Sequence, residues 1–282
     1  MKTNVYQKVT NLILNQLRHG KIPWRKSWQS LQPMNFISKN AYQGINYLIL
    51  SCHDFASPYF LTFNQAKQKG GTILKGSKGL PVVFWKLLEG IQENTKGELK
   101  NSHIPFIKNS TVFNLTQTDL YKEDEPQQLE ERPGAEDLLN SLSFIPPIKN
   151  NLERPFYSPT LDYISVPPLK QFSGVNESYS TLFHEVIHST GHSTRLNRFL
   201  PSDYKGSESY SFEELVAEIG SAFLCSMCGI DNTLNNSTAY IQAWLSRLQD
   251  DEKLIIKAST QAKNAVNFLL NKSAENSEEK AA

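Results

Sequence analysis

Apolar side chains recur at helical spacing at the start of the chain: Val5, Val9, Leu12, Ile13 and Leu17. Thr3 is a suitable N-cap, and Gly20 is a residue type that commonly ends a helix. The pattern therefore predicts an amphipathic helix between these two residues. Regular helix cannot continue through Pro23, because proline lacks a backbone N–H group.

The pattern changes after this first helix. Strands are predicted at residues 72–74, 80–86 and 106–114, where short apolar segments alternate with glycine-bearing turns. Residues 62–69 are predicted to form a short helix that ends at a glycine pair, whereas residues 45–51 suit either a strand or a helix. This mixture of short helices and strands predicts an α+β domain over residues 1–122.

Helical periodicity dominates the second half of the chain. Helices are predicted at residues 135–142, 179–190, 212–229, 239–248 and 253–270, and a strand within residues 155–166. Residues 135–270 are therefore predicted to form a mostly helical domain with a small sheet. The acidic stretch 123–134 is predicted to be a linker, and the polar tail 271–282 is predicted to be disordered.

Charge divides the chain at the same place as the hydrophobic pattern. The formal net charge is +1, but residues 1–122 hold 16 Lys+Arg against 5 Asp+Glu, and the remainder hold 13 against 23. A basic region of this kind favours a polyanionic partner. No apolar run reaches the ~18 residues that cross a bilayer, so no membrane association is expected. There is no signal-peptide pattern, and the 3 cysteines are too few for a disulfide scaffold, so a cytoplasmic location is expected.

The sharpest motif is His184-Glu185-Val186-Ile187-His188. Residues four apart lie on one face of a helix, so both imidazoles can bind one Zn²⁺ ion at about 2.0–2.1 Å. Glu185 lies beside them and is predicted to be the general base, which takes a proton from a water molecule that the metal activates. The motif therefore predicts a zinc-dependent metallopeptidase site.

A catalytic zinc ion needs three protein ligands and one open position. The metzincin spacing is excluded, because Thr194 stands where its third histidine would be. Glu214, on the next predicted helix, is the preferred third ligand, with Glu213 and His192 as alternatives. Glu218 is one turn after Glu214 and is predicted to accept a hydrogen bond from a ligating imidazole.

Aromatic and basic residues are neighbours in the first half of the chain: Trp24, Arg25, Lys26, Trp28, Lys39, Tyr42, Trp85 and Lys86. Three further lysines flank glycine-bearing turns: Lys67, Lys75 and Lys78. Aromatic rings can stack unpaired bases while lysine and arginine contact the phosphates. These residues are predicted to bind single-stranded DNA, and residues 1–122 are expected to bind it on their own. No helix-turn-helix or zinc-finger signature for duplex DNA is present.

With these motifs taken together, the chain resembles the ArdC family of antirestriction proteins, which plasmids and other mobile genetic elements carry. In the first half the resemblance rests on Gly20-x-x-Pro23-Trp24, Tyr42-x-Gly44-x-Asn46, Thr62-x-x-Gln65-Ala66 and Lys75-Gly76-x-Lys78-Gly79. In the second half it rests on Tyr157-Ser158-Pro159-Thr160-x-Asp162, His184-Glu185-x-x-His188-x-x-Gly191-His192 and Glu213-Glu214-Leu215-Val216-Ala217-Glu218.

The resemblance implies an N-terminal single-stranded-DNA-binding domain and a C-terminal zincin-like metallopeptidase domain. By similarity, His184, His188 and Glu214 correspond to the zinc ligands, and Glu185 corresponds to the catalytic glutamate. The strand near residues 157–166 would be the edge strand that pairs with an extended peptide substrate.

Two functions are left open at this point. The protein is either a DNA-tethered metallopeptidase that cuts a protein partner, or a non-enzymatic protein that shields single strands and holds a structural or vestigial zinc ion. Three residues are candidates for the group that stabilises the tetrahedral intermediate of a hydrolysis: Tyr204, Tyr210 and His192.

Overall fold

A computed structural model describes residues 5–24, 32–93, 99–122, 133–150, 154–199, 207–230 and 238–272. Arg25, Lys26 and Trp28 lie outside these ranges, as do most of the predicted linker and the tail from residue 273 onward. The described residues form the predicted α+β architecture, with a mixed first half and a mostly helical second half.

The first half combines a four-stranded sheet with helices. Its elements are α1 (Val5–Arg18), β1 (Met34–Asn35), α2 (Gly44–Ser51), β2 (Tyr59–Thr62), α3 (Phe63–Gln68), β3 (Leu80–Glu93) and β4 (Leu99–Asn114). The strand order is β1-β2-β4-β3, in which β1 is parallel to β2 and the other pairs are antiparallel. The strand predicted at residues 72–74 is wrong, because turns on both sides leave only a single bridge from Ile73 to Thr118.

The second half packs its helices around a small sheet. Its elements are α4 (Ala135–Ser141), β5 (Ile148–Lys149), β6 (Phe156–Ser158), β7 (Tyr163–Ser165), α5 (Val175–Ser189), α6 (Ser207–Cys228), α7 (Thr238–Asp250) and α8 (Leu254–Leu269). The strand order is β5-β7-β6, with β5 parallel to β7 and β6 antiparallel to it. The strand β6 therefore lies at an edge of this sheet, where it packs against α5.

Residues 45–51, whose sequence suits either a strand or a helix, form part of the helix α2. All eight of its residues are buried, which is why the segment lacks the polar face of an amphipathic helix. Asn46 fixes α2 to the sheet, because its side-chain amide donates to the Val83 carbonyl at 2.8 Å and accepts from the Val83 N–H at 2.7 Å.

One hydrophobic core extends across both halves of the chain. The helix α1 packs against α7, and α2 packs against α8. Members of the shared cluster are Val9, Ile13 and Leu17 of α1 together with Leu248 and Ile255. The rings of Tyr47 and Phe223 meet edge to face at 4.9 Å, and the Thr10 hydroxyl donates to the Glu252 carbonyl at 2.7 Å. The first two helices are therefore integral to the core of the second half.

The remaining helix predictions are confirmed, with differences at the ends. The structure begins α5 at Val175 and α6 at Ser207, before the apolar periodicity becomes evident in the sequence. Thr62 caps α3 by accepting from the Gln65 N–H at 3.2 Å, while the Gln65 side chain accepts from the Thr62 N–H at 2.9 Å. Across the described ranges, the structure has no helix both long and apolar enough to cross a membrane.

Candidate metal centre

The helix α5 presents both histidines of the motif to α6. Phe183, Val186 and Ile187 are fully buried, so they fix the rotation of the helix about its axis. His184 and His188 are four residues apart and consequently project on the same side.

Close packing of α5 on α6 depends on Gly220. A Cβ atom at this position would lie 2.8 Å from Cδ1 of Ile187, which is closer than packed carbon atoms approach. The Ser221 hydroxyl also donates to the Ser180 carbonyl of α5 at 3.0 Å. These contacts hold α6 where Glu214 reaches the two imidazoles.

Nitrogen and oxygen donors of His184, His188 and Glu214 converge on one point. The two Nε2 atoms are 3.1 Å apart, and the Glu214 oxygens lie 3.5 Å from Nε2 of His184 and 3.4 Å from Nε2 of His188. Ligands at about 2.0–2.1 Å around a tetrahedral ion are separated by roughly 3.3–3.4 Å. The donor set therefore fits a small divalent cation. His192 lies outside this cluster of donors.

The electrostatics of the cluster favour a bound cation. Burial alone would lower the pKa of His188, but hydrogen bonds with Glu213 and Glu214 raise that pKa to about 10. Burial would raise the pKa of Glu214, yet its contacts with both imidazoles hold it well below its usual range. The carboxylate of Glu214 is thus stable as an anion, and a divalent cation between the donors would neutralise it.

The Glu185 carboxyl is buried beside the two imidazoles, and the backbone of Tyr157 in β6 lies near it. Burial raises the pKa of Glu185, and the nearby imidazoles oppose that shift. A carboxyl with a raised pKa is better suited to take up a proton and release it again at neutral pH. Glu185 is not one of the converging donors, which leaves its carboxyl available for proton transfer.

Glu213 contacts His188 on the imidazole nitrogen that faces away from the donor cluster. Its Oε1 lies 3.4 Å from Nδ1 of His188. Arg198 holds the same carboxylate through Nη2 at 2.7 Å and Nε at 3.1 Å, and also donates to the Ile187 carbonyl at 3.0 Å. The sequence offers Glu213 as an alternative ligand, but its carboxylate lies outside the donor cluster, on the far side of the His188 imidazole. Nothing in the sequence spacing points to Arg198.

Glu218 does not make the contact predicted for it. It is buried on α6, but the carboxylate at an imidazole Nδ1 is that of Glu213. The Nδ1 atom of His184 is buried and has no hydrogen-bond partner among the described residues.

Arg195 joins the β6–β7 hairpin to the end of α5. It donates to both carboxylate oxygens of Asp162 in the hairpin turn, to the Ser189 carbonyl at 2.6 Å and to the Tyr157 hydroxyl at 3.0 Å. The Tyr157 hydroxyl in turn donates to Asp162 at 2.8 Å. This network fixes the edge strand beside Glu185.

The residue that would stabilise a tetrahedral intermediate of hydrolysis is still only predicted, with the same three candidates. Tyr204 lies outside the described residues, and the side chain of Tyr210 in α6 is likewise not described. The Nδ1 atom of His192 is 2.8 Å from the Thr194 hydroxyl.

Comparison with known proteins identifies the family. Residues 3–113 match the N-terminal domain of the anti-restriction factor ArdC, and residues 135–261 match a zincin-like metallopeptidase family. The metal-free crystal structure of the antirestriction ArdC protein from plasmid R388 aligns with a TM-score of 0.77. Its sequence identity is 37%, over 95% of this chain and 97% of that one. The chain belongs to the ArdC family of antirestriction proteins.

Other relatives extend this comparison. The Mn(II)-bound structure of R388 ArdC aligns with a TM-score of 0.78 at 36% identity, over 97% of this chain and 99% of that one. DNA primase TraC of Escherichia coli is 32% identical over 96% of this chain, which spans only 27% of the TraC length. The uncharacterized protein y4eC of Sinorhizobium fredii (strain NBRC 101917 / NGR234) is 27% identical, over 95% of this chain and 92% of y4eC.

Two of the aromatic residues predicted to bind DNA are buried in this ArdC-family chain. Trp24 is 1% exposed and Tyr42 is 3% exposed, so the prediction that either ring stacks a base is wrong. The rings fill two separate hydrophobic clusters because apolar side chains of α1, α2 and the sheet surround them.

The other predicted DNA-binding residues divide into two groups. Lys39, Lys67, Lys75 and Lys78 are exposed. Trp85 and Lys86 lie in β3, but their side chains are not described, and Arg25, Lys26 and Trp28 are outside the described ranges.

Proposed function

We propose that this ArdC-family protein binds single-stranded DNA through its basic half and hydrolyses a peptide bond at a zinc site in its second half. The observation that carries the proposal is the convergence of His184, His188 and Glu214 beside the buried carboxyl of Glu185. Three protein donors are typical of catalytic zinc sites, whereas structural sites have four. Two imidazoles with one carboxylate suit Zn²⁺ better than an octahedral, all-oxygen cation.

Different residues of the site would carry out different steps of the hydrolysis. When bound, the metal would lower the pKa of a water molecule and polarise the carbonyl of the scissile bond. Glu185 takes the proton from the attacking water and returns it to the departing amine. Glu213 and Arg198 keep the His188 imidazole in orientation.

The edge strand β6 offers a binding site for an extended peptide. Tyr157 is paired with Ile164 of β7, but the Ile164 N–H donates to the Pro147 carbonyl on the β5 side at 2.9 Å. The N–H and carbonyl groups of Tyr157 therefore point away from β7. In an antiparallel pair, every second residue lacks hydrogen bonds to the partner strand in this way. They point toward Glu185, where a substrate strand can add to the sheet.

Single-stranded DNA is the proposed partner of the basic half because residues 1–122 have a net charge of +11. Exposed lysines in this half contact phosphates, and exposed aromatic rings supply the preference for unpaired bases. A peptidase held on an incoming strand would act on proteins that meet the same strand, which agrees with an antirestriction role.

The test combines metal analysis with peptide hydrolysis. The purified protein should contain about one zinc ion per chain and should cleave a protein or peptide library, more strongly with a single-stranded oligonucleotide than without it. Glu185→Gln should keep the zinc ion and lower cleavage by about 10²–10⁴-fold, because it removes only the general base. Stoichiometric zinc without cleavage in either condition would support the alternative, a non-enzymatic protein that shields single strands around a structural zinc ion.

A further inference from the structure

A group of aromatic and basic side chains lies on the first half of the protein, where β1, β2 and α3 meet. Its lysines and one of its rings are exposed, and its other two rings are half-buried. We call it the Lys39 surface, and its members are Phe36, Lys39, Tyr59, Phe63, Lys67 and Lys69. Phe63 is 58% exposed, an unusual state for a phenylalanine. Lys67 is one helical turn after Phe63, so both side chains project on the same side of α3.

Lys39 occupies a strained backbone position in the turn that follows β1. Its φ angle is 57°, a left-handed conformation that glycine and asparagine adopt more easily than lysine. The buried Asn35 builds this turn, because its side chain accepts from the Ile37 and Ser38 N–H groups and its carbonyl accepts from the Lys39 N–H. A lysine at such a strained position points to a role for its side chain.

Aromatic rings hold the ammonium group of Lys39. Its Nζ lies 3.9 Å from the centre of the Tyr59 ring and 4.7 Å from that of Phe36, within the range of cation–π attraction. The two rings themselves meet edge to face at 5.9 Å. The Asn35 amide donates to the Gln65 side chain of α3 at 3.3 Å, so the turn packs against the side of α3 that carries Gln65. Lys69 is four residues after Gln65 and lies on that same side, whereas Phe63 and Lys67 lie on the outer side of the helix. A strand that contacts Lys39, Lys69 and Phe63 must therefore cross over α3.

The positive charges of this surface have no carboxylate partners in the part of the chain that the structure describes. None of Lys39, Lys67 and Lys69 forms an ion pair there. Partial burial lowers the pKa of Lys39, and the nearby ammonium group of Lys69 lowers it further. Two neighbouring ammonium groups without a counter-charge form a suitable site for one phosphate.

We propose that the Lys39 surface is where single-stranded DNA binds, with a phosphate between Lys39 and Lys69 and an unpaired base stacked on Phe63. This inference rests on the proposed DNA-binding function and gives it a location. The exposed ring favours a single strand over a duplex, because bases within a duplex are already stacked and paired. The uncompensated positive charge favours a polyanion over an apolar protein surface.

The experiment measures fluorescence anisotropy of a labelled oligothymidylate with the full-length protein across a salt series. Phe63→Ala should weaken binding by about 5–100-fold, as loss of one base–aromatic stack does, and should leave the salt dependence unchanged. Lys69→Ala should instead make the log–log salt slope shallower by about 0.7, the contribution of one phosphate. Phe144→Ala and Lys170→Ala are the matched controls, because both side chains are exposed in the second half of the chain.

Lys39 needs a variant that keeps its charge, since its backbone position is strained. Lys39→Arg should bind like the wild type, and Lys39→Gln should show the same change of salt slope as Lys69→Ala. Circular dichroism of each variant checks that the turn and the sheet still fold.

The possible outcomes distinguish failure of the proposed location from failure of the proposed DNA-binding function. If the wild type binds the oligonucleotide and the Phe63 and Lys69 variants match their controls, the Lys39 surface is the wrong location and the DNA-binding function stands. If the wild type binds no oligonucleotide at low salt, both are overturned. If polyglutamate binds and shows the same losses while oligothymidylate does not, the surface receives an acidic protein instead.

Discussion

The metal centre and the Lys39 surface concentrate charge in opposite ways. At the metal centre, imidazoles and a carboxylate face one another at 3.1–3.5 Å, and a buried arginine holds the supporting Glu213 from behind. At the Lys39 surface, exposed ammonium groups of like sign lie close together, and aromatic rings rather than carboxylates hold one of them.

The difference indicates what each region can recognise. Opposite charges fixed at short range in a buried setting select one small ion and are little affected by salt. Like charges at the surface attract a polyanion from a distance, and salt weakens that attraction. The two regions should therefore respond differently to the same changes.

The largest effect is expected when the two halves are physically separated. A fragment of residues 1–122 would expose the faces of α1 and α2 that pack on α7 and α8, including Val9, Ile13 and Leu48. We expect it to lose cooperative unfolding in a urea titration, and the fragment's predicted DNA binding to fail with it. A sharp two-state transition of the fragment would show that the halves are independent.

Removal of the carboxylate donor should affect only one of the two regions. Glu214→Ala should weaken zinc binding by more than the roughly 10–100-fold that follows loss of a supporting contact, because it removes a donor itself. Oligonucleotide binding should stay unchanged. Competition with a chromophoric chelator measures the first effect, and Glu136→Ala, at an exposed acid on α4, is the control. If both variants lost zinc affinity to the same extent, Glu214 would not be a metal ligand.

The contact between Glu213 and His188 allows a finer test within the metal centre. Glu213→Gln should weaken zinc binding by about 10–100-fold, since it removes the charge that orients the imidazole. Glu218→Gln should have a smaller effect, because Glu213 is the carboxylate at Nδ1 of His188 and no hydrogen bond joins Glu218 to Nδ1 of His184. The same chelator competition ranks the two variants, and the reverse ranking would restore the role predicted for Glu218 from the sequence.

The smallest effect, and the most direct contrast, comes from salt alone. Raising NaCl from about 50 to 200 mM should weaken single-strand binding by roughly 10–20-fold if three phosphates are contacted. Zinc affinity in the same buffers should change far less. Parallel salt dependence of both affinities would mean that the metal centre is as exposed to solvent as the Lys39 surface.

The sequence is most informative where function depends on local spacing. The helical period alone brings His184 and His188 to one face, and the apolar pattern of the next helix orients Glu214 toward them. Contacts between separate elements are not encoded in this way. The link from Glu213 to Arg198 forms only after the end of α5 folds back on α6, so no spacing rule predicts it.

Exposure of aromatic residues is the least predictable property of this chain. Trp24 has basic neighbours in the sequence, yet it is buried in the hydrophobic cluster that α1 and α2 share with the second half. Phe63 has no basic residue beside it, yet it is exposed, and Lys67 lies on the same side of α3. Tertiary packing decides whether an aromatic side chain is exposed to solvent, and its neighbours in the sequence do not.

The shared core also sets how such a protein can be inherited or engineered. A recombination event between residues 122 and 135 would leave α1 and α2 without the helices that cover them. We therefore expect genes of this kind to gain or lose the two halves together. For the same reason, a fusion partner is better attached at either terminus than at the junction between the two halves.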